Sequence, residues 1–140
     1  MVDYDITDAL KARITSECPG FATVDEAWFS APIDDYKAQT PAAYVYLAED
    51  AAEKANELSR RQNATQVYGV FIICEIGESF RAQRHEVREA LFGWQPPGSD
   101  GVMAFHTGQM QEINGRHIWW REYWTLETPN AFTASRTVTV

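Results

Sequence analysis

Cysteine is scarce in this chain: Cys18 and Cys74 are the only two among 140 residues. They have no framework spacing, so a disulfide-stapled scaffold is not indicated. They read as reduced thiols, one near a helix end and one buried in a strand. Basic residues are also short, twelve against twenty acidic ones, for a formal charge of -8. That deficit argues against a protein that grips nucleic acid phosphates and against an anionic membrane surface. No apolar run approaches the length of a bilayer span. The start, MVDYDITDAL, lacks an apolar signal core, and an unprocessed cytoplasmic product is expected. The nucleotide-binding and metalloprotease signatures G-x-G-x-x-G, the Walker loop and H-E-x-x-H are missing, as is the G-x-S-x-G elbow. His85-Glu86 begins like the third of these, but position 89 is glutamate.

What the chain does have is apolar and aromatic content. Its hydrophobic fraction is 45% and its aromatic fraction 13%, enough to build a real core in one domain rather than a disordered chain. The domain is expected over residues 1–128, followed by a polar tail over 129–140.

Asp5 is placed to cap a first helix over Ile6–Glu17, with Ile6, Leu10 and Ile14 on one stripe and Pro19-Gly20 ending it. Phe21–Val24 suggests a short strand. Asp25–Thr40 reads as an ordered loop whose Trp28, Phe29 and Tyr36 pack onto the body. Pro41 opens a strand over Ala42–Ala48, with Ala43, Val45 and Leu47 on one face and Tyr44 and Tyr46 on the other. Glu49–Arg61 is Ala- and Glu-rich, which favours helix, but it has no apolar stripe and is taken as a long exposed hairpin connection. Gln66–Ile76 is apolar on both faces and reads as a central strand, covered by helices on one side and by a loop or partner on the other.

A second helix is expected over Ser79–Phe92, burying Phe80, Val87, Ala90 and Leu91, with Arg81, Arg84, Arg88 and Glu89 toward solvent. Gly93 sits where a left-handed C-cap belongs. Trp94 then folds back as a seal, and Pro96-Pro97 prevents the helix restarting. Val102–Ile113 reads as a strand with a bulge at Gly108. Asn114-Gly115 signals a hairpin, and His117–Thr128 returns until Pro129 breaks it. The resulting class is α+β: an antiparallel sheet of about four strands with two α-helices packed on one face.

No residues stand out as catalytic or as a metal site, and no cofactor is indicated. His85 lies on a charged helix face. His106 and His117 would meet across the hairpin and supply only two metal ligands. Asp34, Asp35, Glu49, Asp50 and Glu53 read as a solvated acidic surface, because a catalytic carboxylate pair needs an apolar pocket to separate its pKa values. The last strand is unusual in carrying aromatics on both faces. His117, Trp119, Arg121 and Tyr123 point one way; Ile118, Trp120, Trp124 and Leu126 point the other. Core packing and a subunit interface both fit that pattern, while stacking of single-stranded nucleic acid conflicts with the charge.

Taken together, "TPAAYVYL", "QVYGVFIICEI", "VREALFGWQPP" and "IWWREYWTLET" resemble the tail terminator proteins of long-tailed bacteriophages and prophages, also described as minor tail or tail-completion proteins. The resemblance runs from about Ile6 to Glu127. It implies a non-enzymatic virion part that forms a ring, usually hexameric, at the head-proximal end of the tail tube. Such a ring stops tube polymerisation and offers a docking face to head-completion or stopper proteins. Its implied partners are further copies of itself, the tube protein and the stopper, with DNA passing through the lumen without specific binding. The implied location is the virion tail, after assembly in the host cytoplasm. The expected contact surface is Tyr68, Val70 and Ile72 with Trp119 and Tyr123, reached by a loop carrying Arg60 and Arg61. Gly93 and Trp94 are expected to be structural. Another head–tail connector part (a stopper or adaptor) and a small ligand-binding or enzymatic domain are the alternatives.

Overall fold

The computed structural model describes residues 5–33, 36–54, 58, 61–77, 80–114 and 116–133. The elements run α1 (Thr7–Glu17), β1 (Thr23–Glu26), β2 (Ala42–Ala52), β3 (Arg61–Glu75), α2 (Phe80–Leu91), β4 (Met103–Asn114) and β5 (His117–Thr133). They form a two-layer α+β domain with both helices on one face of a five-stranded sheet, ordered β1-β2-β3-β5-β4. The sheet has one strand more than expected, because β1 adds to its edge in parallel with β2, Thr23 opposite Ala42. All other pairings are antiparallel.

The helix layer follows from the apolar stripes. Leu10 and Ile14 of α1 and Val87, Ala90 and Leu91 of α2 are buried against Ala43, Val45, Val70, Ile72 and Leu126. Helix α1 is started by its neighbours: the Asp5 carboxylate accepts from the Thr7 N–H at 3.0 Å and from its hydroxyl at 2.6 Å. The Tyr68 hydroxyl accepts from the Ile6 N–H at 3.0 Å. Two of the N–H groups that a helix start leaves unpaired are thereby satisfied. Ser79, where the second helix was expected to begin, lies outside the described residues.

The opposite face of the sheet is closed by the segment after β1. Ala27, Phe29 and Tyr36 pack onto Ala42, Phe71, Ile73 and Trp119, as expected for Phe29 and Tyr36, whereas Trp28, expected to pack with them, is 86% exposed because the chain turns Phe29 inward in its place. Helix α2 ends as its sequence suggests. Gly93 has φ +74, the left-handed value that suits glycine. Its N–H donates to the Met103 carbonyl, and Met103 donates back to the Trp94 carbonyl at 2.8 Å. Trp94 is half-buried on the core rather than fully sealed in it, with the Arg13 guanidinium 5.5 Å from its ring centroid.

Three other expectations change. The Glu49–Arg61 connection is strand at both ends: β2 continues to Ala52, β3 starts at Arg61, and Ala52 pairs with Ala64 beyond a bulge at Leu47/Glu49. Antiparallel pairing propagates along two flanking chains without needing an apolar stripe, so the hairpin extends past the buried stretch. Gln66, fully buried, ties its base by donating to Asp50 at 3.1 Å and accepting from Thr128 at 2.9 Å. The last strand does not break at Pro129. Strand β5 absorbs the proline in an irregularity opposite Gln62/Ala64 and pairs on to Thr133. In β4 the register shifts at Phe105/Thr107 and Met110/Glu112, not at Gly108.

Candidate assembly surface

The sheet positions expected to face a partner are mostly interior. Tyr68, Val70, Ile72 and Trp119 are all 0% exposed. The pairing explains why. Tyr68 lies opposite Trp124, Val70 opposite Glu122 and Ile72 opposite Trp120, on the side that the helices cover. Trp119 lies on the other side, beneath Phe29 and Tyr36, with ring centroids 5.9 and 5.4 Å away. The expected surface therefore joined residues from two opposite faces. A strand that is apolar on both sides reveals which residues share a face, but not which face the helices take. Tyr123 is half-buried, its hydroxyl 3.5 Å from that of Tyr46. Arg61 is exposed at the start of β3, and Arg60 lies outside the described residues. His106 and His117 do not meet: His117 pairs with Asn114 at the turn, and His106 sits in the bulge opposite Tyr123 and Trp124.

The polar centre of the molecule was missed by the sequence reading. Glu122 on β5 is fully buried on the helix side. Its carboxylate accepts from the indole N–H of Trp120 at 3.1 Å, the indole N–H of Trp124 at 3.2 Å and Nε of Arg88 at 3.3 Å. The Arg84 guanidinium lies 4.0 Å from the Trp120 ring centroid. Arg84 and Arg88 thus turn back onto the sheet instead of standing in solvent. Desolvation by burial, helped by Arg88, pulls the Arg84 guanidinium below its ordinary pKa, against the opposing pull of Glu122. A signal was available. Trp120, Glu122 and Trp124 are spaced by two residues, which on a strand places a carboxylate between two indole donors on one face. The two indoles and Arg88 all donate to the carboxylate and hold it in place, as a structural ion pair is held.

With both faces of the sheet covered, the edges are the less protected parts. Among the described residues, β4 pairs only with β5 and β1 only with β2, so each presents an unpaired backbone edge. Exposed apolar side chains gather at both. Met110 and Ile113 lie on β4. Phe92, at the end of α2, is 71% exposed above Phe105, which is 37% exposed. Just past β1, Trp28 is 86% exposed. Two grooves mark these edges. One, of about 340 Å³, is lined by Arg88, Glu89, Phe92, Phe105 and Trp124. The other, of about 450 Å³, lies between Asp5, Thr7 and the 26–30 segment.

The sequence model for "Phage tail terminator protein" matches residues 3–130. The chain belongs to the phage tail terminator family. A terminator is a virion tail component that works in assembly with other tail and head proteins. The terminator fold is seen again in a chain of the structure described as "Virion of native gene transfer agent (GTA) particle". That chain is 15% identical, with a TM-score of 0.53 over 91% of this chain and 99% of its own length. No curated protein matches this terminator.

Proposed function

We propose that this chain caps the head-proximal end of a tail tube as a closed, hexameric ring, halts addition of tube subunits and presents its outer side to a head-completion protein. Family membership over residues 3–130 carries the reading. The monomer supports it physically. A ring needs two different surfaces on each subunit, and here exposed apolar side chains stand at both sheet edges, Trp28 beside β1 and Phe92, Phe105, Met110 and Ile113 beside or on β4. The β2–β3 hairpin, exposed along its first arm from Ala48 to Ala52 and carrying exposed Arg61 on its second, is long enough to reach a neighbour or the tube. A net charge of -8 suits a lumen through which DNA slides without being held. The part is structural, and its buried Glu122 serves packing, not catalysis.

The test is to add the purified chain to tube subunits during polymerisation and image the products by negative stain. Tubes that stop growing and carry a ring at one end are the expected result. Tube lengths unchanged by the chain, with bare ends, would refute the reading.

A further inference from the structure

Trp28 is unusual for a half-covered loop. Phe29 next to it is packed into the aromatic layer over Phe71, with centroids 5.5 Å apart, yet Trp28 stays 86% exposed. An indole in water on an ordered loop marks a contact surface, since Trp is the residue most enriched at the energetic centre of interfaces. Around it the surface is acidic, with Asp5, Asp8 and Asp25 exposed and Glu26 half-exposed. Lys11 pairs with Asp25, at 3.6 Å.

The groove at the far edge has the complementary character. Phe92 and Phe105 supply apolar walls, and Trp124 lines its floor. Arg88 lies with its guanidinium 4.5 Å from the Phe105 ring centroid and keeps 40% of its side chain in solvent. Helix α2 behind it carries Arg81 and Arg84 as well, against Glu86 and Glu89, a small basic excess in an otherwise acidic chain. One carboxylate, Glu89, stands on the rim, 3.5 Å from His85. Trp28 cannot fill this groove in its own chain. It sits beyond β1 and the groove beside β4, four strand intervals apart, or roughly 19 Å at the usual spacing.

We infer that Trp28 of one copy seats in the Arg88–Phe92–Phe105 groove of the next, the acidic β1 edge facing the basic side of α2. The inference rests on the ring reading above and names the contact that builds the ring. The indole stacks on the face of the Arg88 guanidinium that Phe105 leaves free, a cation–π contact strengthened by desolvation. Because the two halves of the contact differ, each bound copy presents a fresh Trp28 and a fresh groove. The contact therefore propagates head to tail until it closes.

The experiment compares wild type, Trp28→Ala and Phe92→Ala by native mass spectrometry and at tube ends by negative stain. Both side chains are mostly in solvent, so both variants keep the wild-type circular dichroism. Each should weaken self-association at least tenfold and lose the ring. An equal mixture of the two is the sharper test: one variant keeps its groove and the other its indole, so pairs form and growth stops there. A Glu26→Cys/Glu89→Cys chain, treated with a short bismaleimide, should give a ladder of cross-linked copies even if a truncation variant misfolds. The native thiols at Cys18 and Cys74 are buried and do not interfere. Wild-type rings with full rings from either alanine variant, rings restored in the mixture, or no cross-linked ladder would overturn this contact while leaving the terminator reading intact. A wild-type chain that neither self-associates nor caps tubes would overturn both.

Discussion

Replacing Glu122 with alanine removes the acceptor on which three donors converge. The indole N–H of Trp124 is the most costly loss, because that side chain is fully buried and finds no water in exchange. A stranded buried donor costs about 1–3 kcal/mol. Trp120 is half-buried and Arg88 is 40% exposed, so both regain some hydration and their share is smaller. The void left by the shortened side chain adds about 1 kcal/mol. The sum is about 3–5 kcal/mol, within the range for breaking a buried pair from one side. For a chain of this size that is roughly 4 °C per kcal/mol, so the melting temperature should fall by about 12–20 °C. Glu122→Gln keeps the shape and one acceptor but turns an amide N–H₂ toward donors, and should cost about 1–3 kcal/mol. Urea unfolding followed by tryptophan fluorescence and circular dichroism reads both. Glu127→Ala, exposed on the same strand, serves as the control and should stay within about 0.5 kcal/mol. If Glu122→Ala unfolds within 1 kcal/mol of wild type, the carboxylate is not the anchor described here.

Gly69→Ala places a β-carbon inside the ring of Tyr46, which is held by its stack on Phe71 at 5.6 Å, and should destabilise by about 1–3 kcal/mol; an unchanged urea midpoint would show that Tyr46 moves freely. Trp94→Ala should cost about 2 kcal/mol, below the 3–5 kcal/mol of a fully buried large aromatic, because half-burial leaves less area to lose; a midpoint matching wild type would show that the ring adds nothing to the core. Burial pushes the Cys18 thiol up to about 12 and the Tyr46 phenol up to about 12, and raises Tyr36 as well. In each case the folded state holds its proton longer than the unfolded chain, so this contribution is complete below about pH 9 and lost as pH rises toward 12. Urea midpoints measured across that window should fall, and Cys18 should resist a thiol reagent at pH 8 until the chain unfolds; a flat profile or rapid labelling of the native protein would contradict the burial.

Much of the fold was legible because local signals agreed. The stripes Leu10/Ile14 and Val87/Leu91 fixed the helices, and Gly93 fixed where α2 ends. The alternation Ala43/Val45 against Tyr44/Tyr46 sorted the faces of β2. What escaped depended on partners distant in sequence. Strand β1, suggested at Phe21–Val24, forms at Thr23–Glu26, and its parallel place on the edge of β2 is what the sequence did not show. The outer hairpin and the stretch past Pro129 are polar and become strand only by pairing with each other. The burial of Tyr68, Val70, Ile72 and Trp119 within the domain escaped for the same reason. Period-two alternation gives side-chain parity, and only the helices decide which parity is hidden.

Arg88 ties the interior of this molecule to its edge. Its Nε is committed to Glu122, while the rest of the guanidinium forms one wall of the groove beside Phe92 and Phe105. The buried carboxylate thus fixes α2 against β5 and sets the position of the side chain that receives Trp28. Buried ion pairs are poor sources of net stability, since desolvation offsets most of the attraction. Their better-attested use is to select one arrangement among several apolar ones, and a ring that must match a tube end needs a single arrangement. This separates the two kinds of variant. Phe92→Ala removes surface without disturbing the network, so assembly fails in a folded chain. Glu122→Ala releases Arg88 and weakens the fold and the groove together.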